Sequence, residues 1–185
     1  MRSLERISIL LSLINKMREQ GSWCGETHIQ KAAYILQVLT GVPTEYEFVL
    51  YKHGPYSFEL HGELGSILAD GLVKLEVQPA PYGPSWTLTE AGQTLRARFV
   101  SQIQGYAEAV SFLAEELRNK GVAELERLGT AFWVKEHNGR ESREDTARAI
   151  VSLKPHVDPN DALVAVYGVE ELVRNWQEVA PSSQI

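Results

Sequence analysis

The stretch Leu50–Glu76, LYKHGPYSFELHGELGSILADGLVKLE, constrains the fold more than any other part of this chain. Gly54-Pro55 marks a turn, the run after it a helix opening at Pro55–Ser57, and Gly71-Leu72 the exit into a strand. Stepping about 100° per residue puts Tyr56, Leu60, Leu64, Ile67 and Leu68 in one inward stripe of a helix over 56–70. Phe58, Glu59, Gly62, Gly65, Ser66 and Asp70 fall on the opposite face, with Glu63 at the border. Leu72, Val73, Leu75 and Val77 alternate as a strand. Gln78–Pro84 is a Pro/Gly turn, and Ser85–Leu88 returns as the second strand of a hairpin.

Two helices precede this unit. Leu4, Ile7, Leu11 and Ile14 recur at helical spacing over about 3–20, stopped by Gly21. Over about 26–40 the apolar residues run nearly all round the circumference, which marks a buried central helix ended by Gly41-Val42-Pro43. Tyr46, Phe48 and Leu50 then alternate as a short strand. Three helices and a hairpin in this order are the plan of a winged helix-turn-helix. The link between the second and third helices, about sixteen residues, is longer than a usual helix-turn-helix turn.

After Thr89, a helix cap, Leu95, Phe99, Ile103, Tyr106, Val110, Leu113 and Leu117 step by four or three residues along a long helix over 90–119. That seam serves either packing against the chain itself or a homodimer through 95–117. Leu125, Leu128 and Phe132 mark a further helix ended at Gly139. Ser142 with Asp145 forms a capping box for a helix through Leu153. Asp158 and Pro159 start a last helix with the seam Ala162, Val166, Val169, Val173 and Trp176. The fold class is therefore mainly α with a small β-hairpin (α+β). A winged-helix-like domain over 1–92 leads into the long helix and a helical subdomain over 93–180, with a frayed tail at 181–185.

The formal charge of −6 is unevenly spread: residues 1–100 carry nine Lys/Arg against ten Asp/Glu, residues 101–185 nine against fourteen. Neither half has the basic excess that attracts phosphates. One cysteine, Cys24, forbids an internal disulfide and suits a reducing cytosol. Ile7–Leu13 is too short for a secretory signal, and no run is long enough to span a bilayer. The expectation is a cytoplasmic protein without membrane contact.

Gln30-Lys31-Ala32-Ala33-Tyr34-Ile35-Leu36, Tyr51-Lys52-His53-Gly54-Pro55-Tyr56-Ser57, Leu68…Gly71-Leu72 and Thr89-Glu90-Ala91-Gly92 together resemble the YwgA-like family of prokaryotic proteins. Phe132-Trp133-Val134 and Leu153-Lys154-Pro155-His156 are similar to that family's helical tail. The resemblance covers roughly residues 4–175. The order of elements is also similar, more distantly, to Panacea-domain proteins, which include SocA-like adaptors and antitoxins. That likeness implies protein–protein binding or toxin neutralisation.

Catalytic signals are sparse. Gly62-Glu-Leu-Gly65 lies inside a helix without the Lys-Ser/Thr of a phosphate loop. Cys24 and His28 are two ligands, too few for structural zinc, and fit a buried thiol beside a helix-start histidine. Ser57 between His53, Glu59 and His61 fits a helix cap better than a nucleophile, since no strained elbow surrounds it. No catalytic residue, metal ligand or cofactor is expected.

Lys31 sits mid-helix among apolar neighbours. Either its stem lies along the surface with the amine in water, or the charge is buried against Glu47, Glu59 or the turn carbonyls near Gly54. The outward face of the third helix has no Lys or Arg, and the wing tip Pro79–Pro84 has none, so groove reading of DNA is disfavoured. Lys52, Lys74, Arg96 and Arg98 are scattered over several elements. A protein partner suits this face better: Phe58 can anchor in a pocket while Gly62 and Gly65 allow close approach, unless the chain's own C-terminal helices cover it. The expected function is a non-enzymatic interaction module, an adaptor or antitoxin-like regulator. Its surface comprises Lys31, Tyr51, His53, Tyr56, Phe58, Glu59, Gly62 and Ser66. The alternative is a winged-helix DNA-binding transcriptional regulator.

Overall fold

A computed structural model describes residues 3–79, 83–139 and 142–180. Helices α1 (Ser3–Glu19) and α2 (Glu26–Thr40) form the centre. Leu11, Ile14, Ile29, Ile35 and Leu36 are wholly buried between them and their neighbours. Gly21 and Gly41, with φ of +81° and +69°, stop these helices in the left-handed region that favours glycine. Strands β1 (Val49–Tyr51) and β2 (Gly54–Tyr56) then pair antiparallel, with Tyr51 opposite Gly54. Helix α3 (Phe58–Ala69) leads into strands β3 (Val73–Glu76) and β4 (Ser85–Leu88), with Val73 opposite Leu88. The remainder is helical: α4 (Glu90–Arg98), α5 (Val100–Ile103), a 3₁₀ turn (Gln104–Tyr106), α6 (Ala107–Leu117), α7 (Val122–Asn138), α8 (Arg143–Leu153) and α9 (Pro159–Val179). The fold is mainly α with small antiparallel β elements, as the hydrophobic periodicity implies.

Four features depart from the sequence reading. Two hairpins form where one was expected, because the segment after α2 folds back on itself through the turn Lys52-His53. Pro55 accordingly belongs to β2 rather than to the first turn of α3, and the strand expected over Tyr46–Leu50 begins only at Val49. Ser57 is the cap of α3, its Oγ accepting from Leu60 N at 3.1 Å. Tyr56, expected in the inward stripe of that helix, is a half-buried strand residue instead.

The third departure is the long helix, which is broken. Phe99, Ile103 and Tyr106 take φ/ψ near −105°/0° at the joints between α4, α5, the 3₁₀ turn and α6. Tight closures such as Phe99 N to Arg96 O, 3.2 Å, mark these joints. The bends wrap the segment around α1, so Ile103, Val110, Leu113 and Leu117 are buried within the protomer. A continuous seam for a second copy is not presented.

Fourth, the core does not divide near residue 92. Helix α6 packs on α1 and α2, and α7 packs on α2 and β2, so residues 1–92 and the helical tail share one apolar interior. Helix α9 is capped by Asp158 with Pro159 in its first turn, and α8 by Ser142, as read. Residues 80–82, within the expected wing tip, and the expected frayed tail 181–185 lie outside the described residues. Among the described residues, no helix is long and apolar enough to cross a membrane.

Candidate interaction surface

The insertion between α2 and α3 is held from beneath by polar side chains of α2. Gln30 clamps the backbone of Ser57, accepting from its N–H at 2.9 Å and donating to its carbonyl at 3.0 Å. About two turns later, Gln37 does the same for Tyr46, at 3.1 Å on each side, and its Oε1 accepts from Thr44 Oγ1 at 2.7 Å. Between them Lys31 is 2% exposed and donates from Nζ to the Pro55 carbonyl at 2.9 Å. Strand-like backbone that lacks a neighbouring strand thereby finds its partners on a helix.

The hairpin turn also rests on α7. A Cβ at Gly54, whose φ is +84°, would crowd the Glu126 carbonyl and Thr130 Oγ1, both at 3.2 Å. A Cβ at Gly129 would meet the Pro55 ring at 3.2 Å. Two glycines thus let strand and helix backbones approach. Lys154, buried at the end of α8, donates to the carbonyls of Tyr51 and Lys52. The buried carboxylate of Glu126 lies near both ammonium groups and meets His53 Nδ1 at 3.1 Å and His156 Nε2 at 3.3 Å. Burial pushes the Lys31 ammonium down to about 8, with Glu126 opposing the shift and Lys154 adding to it. Lys154 is lowered by burial too, again opposed by Glu126.

On the outer side, Tyr51, Tyr56 and Phe58 form a mutual cluster. The Tyr56–Phe58 centroids are 5.1 Å apart, and Tyr51 lies 5.8 Å from each ring. Phe58 is 62% exposed and Tyr51 56%, so the C-terminal helices do not cover this face. His61 extends the cluster, 6.2 Å from Tyr56, and its Nδ1 lies 2.6 Å from Glu26. Glu59 and Glu63 are both held by Arg6 of α1, at 2.7 and 3.1 Å. Gly62, Gly65 and Ser66 continue the exposed face, with open space over both glycines.

Of the residues singled out in the sequence, Tyr51, Tyr56, Phe58, Glu59, Gly62 and Ser66 share this outer surface. His53 lies at its rim, with an exposed ring turned to Glu126. Lys31 does not belong to it: the residue is buried and bonds the Pro55 carbonyl, one of the turn carbonyls near Gly54, and the carboxylate near it is Glu126 rather than Glu47 or Glu59. His53, Ser57 and Glu59 do not converge, since their partners are Glu126, the α3 backbone and Arg6 respectively. Cys24 is buried, its thiol pushed up to about 12 by burial. Among the described residues no cluster of three or more His, Cys, Asp or Glu is placed to hold a metal.

Glu126, Lys154, His156 and Gln30 escaped the sequence reading as a group. The available signal was Gln30-Lys31, two adjacent polar residues in the middle of a largely apolar helix. No protein-family model and no curated protein matches this chain.

Proposed function

We propose that the protein is a non-enzymatic interaction module, an adaptor or antitoxin-like regulator, that binds a protein partner through Tyr51, Tyr56, Phe58 and the adjoining face of α3. The observation that carries this reading is the aromatic cluster. Three rings pack on one another, yet two of them remain more than half exposed on elements fixed from below. Clustered aromatics on a rigid support are the usual anchors of protein interfaces, because little side-chain freedom is lost when they are covered. Gly62 and Gly65 beside them leave room for a partner backbone. A cytoplasmic location belongs to the same reading and accords with the single, buried cysteine.

The DNA-binding alternative finds less support. The exposed face of α3 has no Lys or Arg, and Arg6, which borders it, is occupied by Glu59 and Glu63. Titration with duplex DNA at low and high salt separates the two: tight binding that weakens steeply with salt overturns the adaptor reading. Capture of partners by wild type and by Phe58→Ala/Tyr51→Ala tests it directly. The expected result is a protein retained by the first and lost by the second, with both equally folded; equal capture removes this surface from consideration.

A further inference from the structure

Among the described residues β1 pairs with β2 alone, which leaves β1 with an open edge. Leu50 stands opposite Pro55, which has no N–H, so this pair cannot exchange hydrogen bonds. The pairs on either side, Val49 with Tyr56 and Tyr51 with Gly54, carry the ladder instead. The N–H and carbonyl of Leu50 therefore point away from β2, just as the Pro55 carbonyl points away from β1 to meet Lys31. Lys31 closes the Pro55 side, whereas neither backbone group of Leu50 has a partner among the described residues. A donor and an acceptor presented together on one strand edge are a template for another strand. β1 holds no proline and no charged residue, two of the usual guards of such an edge.

The side chains along this edge complement a copy of themselves. Antiparallel pairing of β1 with a second β1, centred on Leu50 opposite Leu50, lets the two residues exchange both hydrogen bonds. That register sets Val49 opposite Tyr51 and Glu47 opposite His53, each twice by the twofold symmetry. A β-branched residue against an aromatic one is a favourable cross-strand match, and so is a carboxylate against a histidine. Val49 and Tyr51 are both exposed. Glu47 is exposed as well, and its carboxylate enters no ion pair or hydrogen bond among the described residues. His53 turns Nδ1 to Glu126 and keeps an exposed ring, which leaves Nε2 for Glu47 of a second copy.

We infer that β1 is the contact of a homodimer, in which a second copy of this chain adds its own β1 antiparallel to give a four-stranded sheet ordered β2–β1–β1–β2. Residues directly opposite share a face of a sheet, so Tyr51 of both copies, each with its Phe58, then lies on one side. The second copy thereby contributes rings to the candidate surface. The purified full chain alone tests this, without any partner. Sedimentation equilibrium from about 1 to 500 μM is expected to show a reversible dimer with Kd below about 100 μM. A chain that stays monomeric throughout overturns the proposal and leaves the adaptor reading standing. A dimer that captures no partner upholds the proposal and removes that reading.

Two substitutions at exposed positions locate the contact and its register. Val49→Lys and Tyr51→Glu, each made alone, remove both Val–Tyr matches of the dimer and are expected to weaken it about tenfold. Circular dichroism should stay unchanged, because both side chains face solvent. Mixing the two variants sets the introduced lysine opposite the introduced glutamate and keeps one Val–Tyr pair. A mixed dimer about as strong as that of the wild type is therefore expected. Undiminished dimers in the single variants, or no recovery in the mixture, overturn the proposal equally well.

Discussion

The two hairpins solve one problem by opposite means. A two-stranded ribbon has too little buried surface to stand alone and must be held by its surroundings. The β3–β4 hairpin is held through backbone and apolar burial: Trp86 N donates to Cys24 O at 2.9 Å, Thr89 N donates to Leu72 O at 3.1 Å, and Val73 and Trp86 are buried. The β1–β2 hairpin is held through side-chain polar groups. Lys31 and Lys154 grip its carbonyls, Gln30 clamps its exit, and Val49 and Tyr51 face solvent. An element whose polar groups are engaged inward can leave its rings outside. The first hairpin leaves side chains in solvent, and the second closes over the core.

The sharpest test of the second hairpin is Gly92→Ala. A Cβ at Gly92 would overlap the Leu72 carbonyl oxygen, a backbone atom already engaged by Thr89 N–H. Neither group can swing aside as a side chain would. The expected loss is about 3 kcal/mol or more, read from urea unfolding. A variant with an unshifted midpoint would mean that the foot of this hairpin is looser than its hydrogen bonds imply.

Lys31→Met probes the first hairpin. Methionine keeps most of the stem but strands the Pro55 carbonyl and removes a cation facing Glu126. About 2–3 kcal/mol of stability should disappear at pH 7. A loss well below about 1 kcal/mol would break the distinction between the hairpins, since the polar clamp would then be dispensable.

Its pH dependence sharpens the point. The ammonium titrates at about 8 in the folded chain against an ordinary 10.5, mainly through burial. Between these values the unfolded chain keeps a proton that the folded chain has released. Stability from this group therefore rises with pH across that window, and below pH 8 the full penalty of burying the charge is present. Cys24 acts in reverse above pH 9.0, because burial makes the folded thiol keep its proton. Comparing wild type with Lys31→Met cancels the cysteine. The gap between them should widen by up to about 1.4 kcal/mol per pH unit from pH 8 upward; a constant gap would show a solvated ammonium.

The same contrast explains what the sequence made legible. Helix α2, the β4 strand and the caps Ser57, Thr89, Ser142 and Asp158 are local matters of periodicity and capping chemistry, and each was readable. The β3–β4 hairpin was readable for the same reason: alternating residues flank a Pro/Gly turn. The β1–β2 hairpin was not, because its partners are side chains 24 to 103 residues away. Its Pro55 also mimics a helix start. The break in the seam over 95–117 was only faintly marked: the heptad spacing runs on through it, and Gly105, which falls in the 3₁₀ turn, is the local sign. On the candidate surface, Phe58 and Glu59 followed from helical phase, whereas the burial of Lys31 required knowing where Glu126 and Lys154 fall.

Helix α3 joins the two hairpins, and Gly62→Ala on its outer face gives the smallest and most discriminating effect. Nothing lies within 4 Å of a Cβ at that position, and the helix runs on for several residues to either side. Alanine should therefore stabilise the free protein by about 0.5–1 kcal/mol, because it narrows the unfolded chain without meeting a neighbour. If the glycine serves close approach of a partner backbone, the same variant will capture that partner less well while unfolding at higher urea. A gain in stability with undiminished capture would move the contact away from α3 and confine it to the rings of the first hairpin.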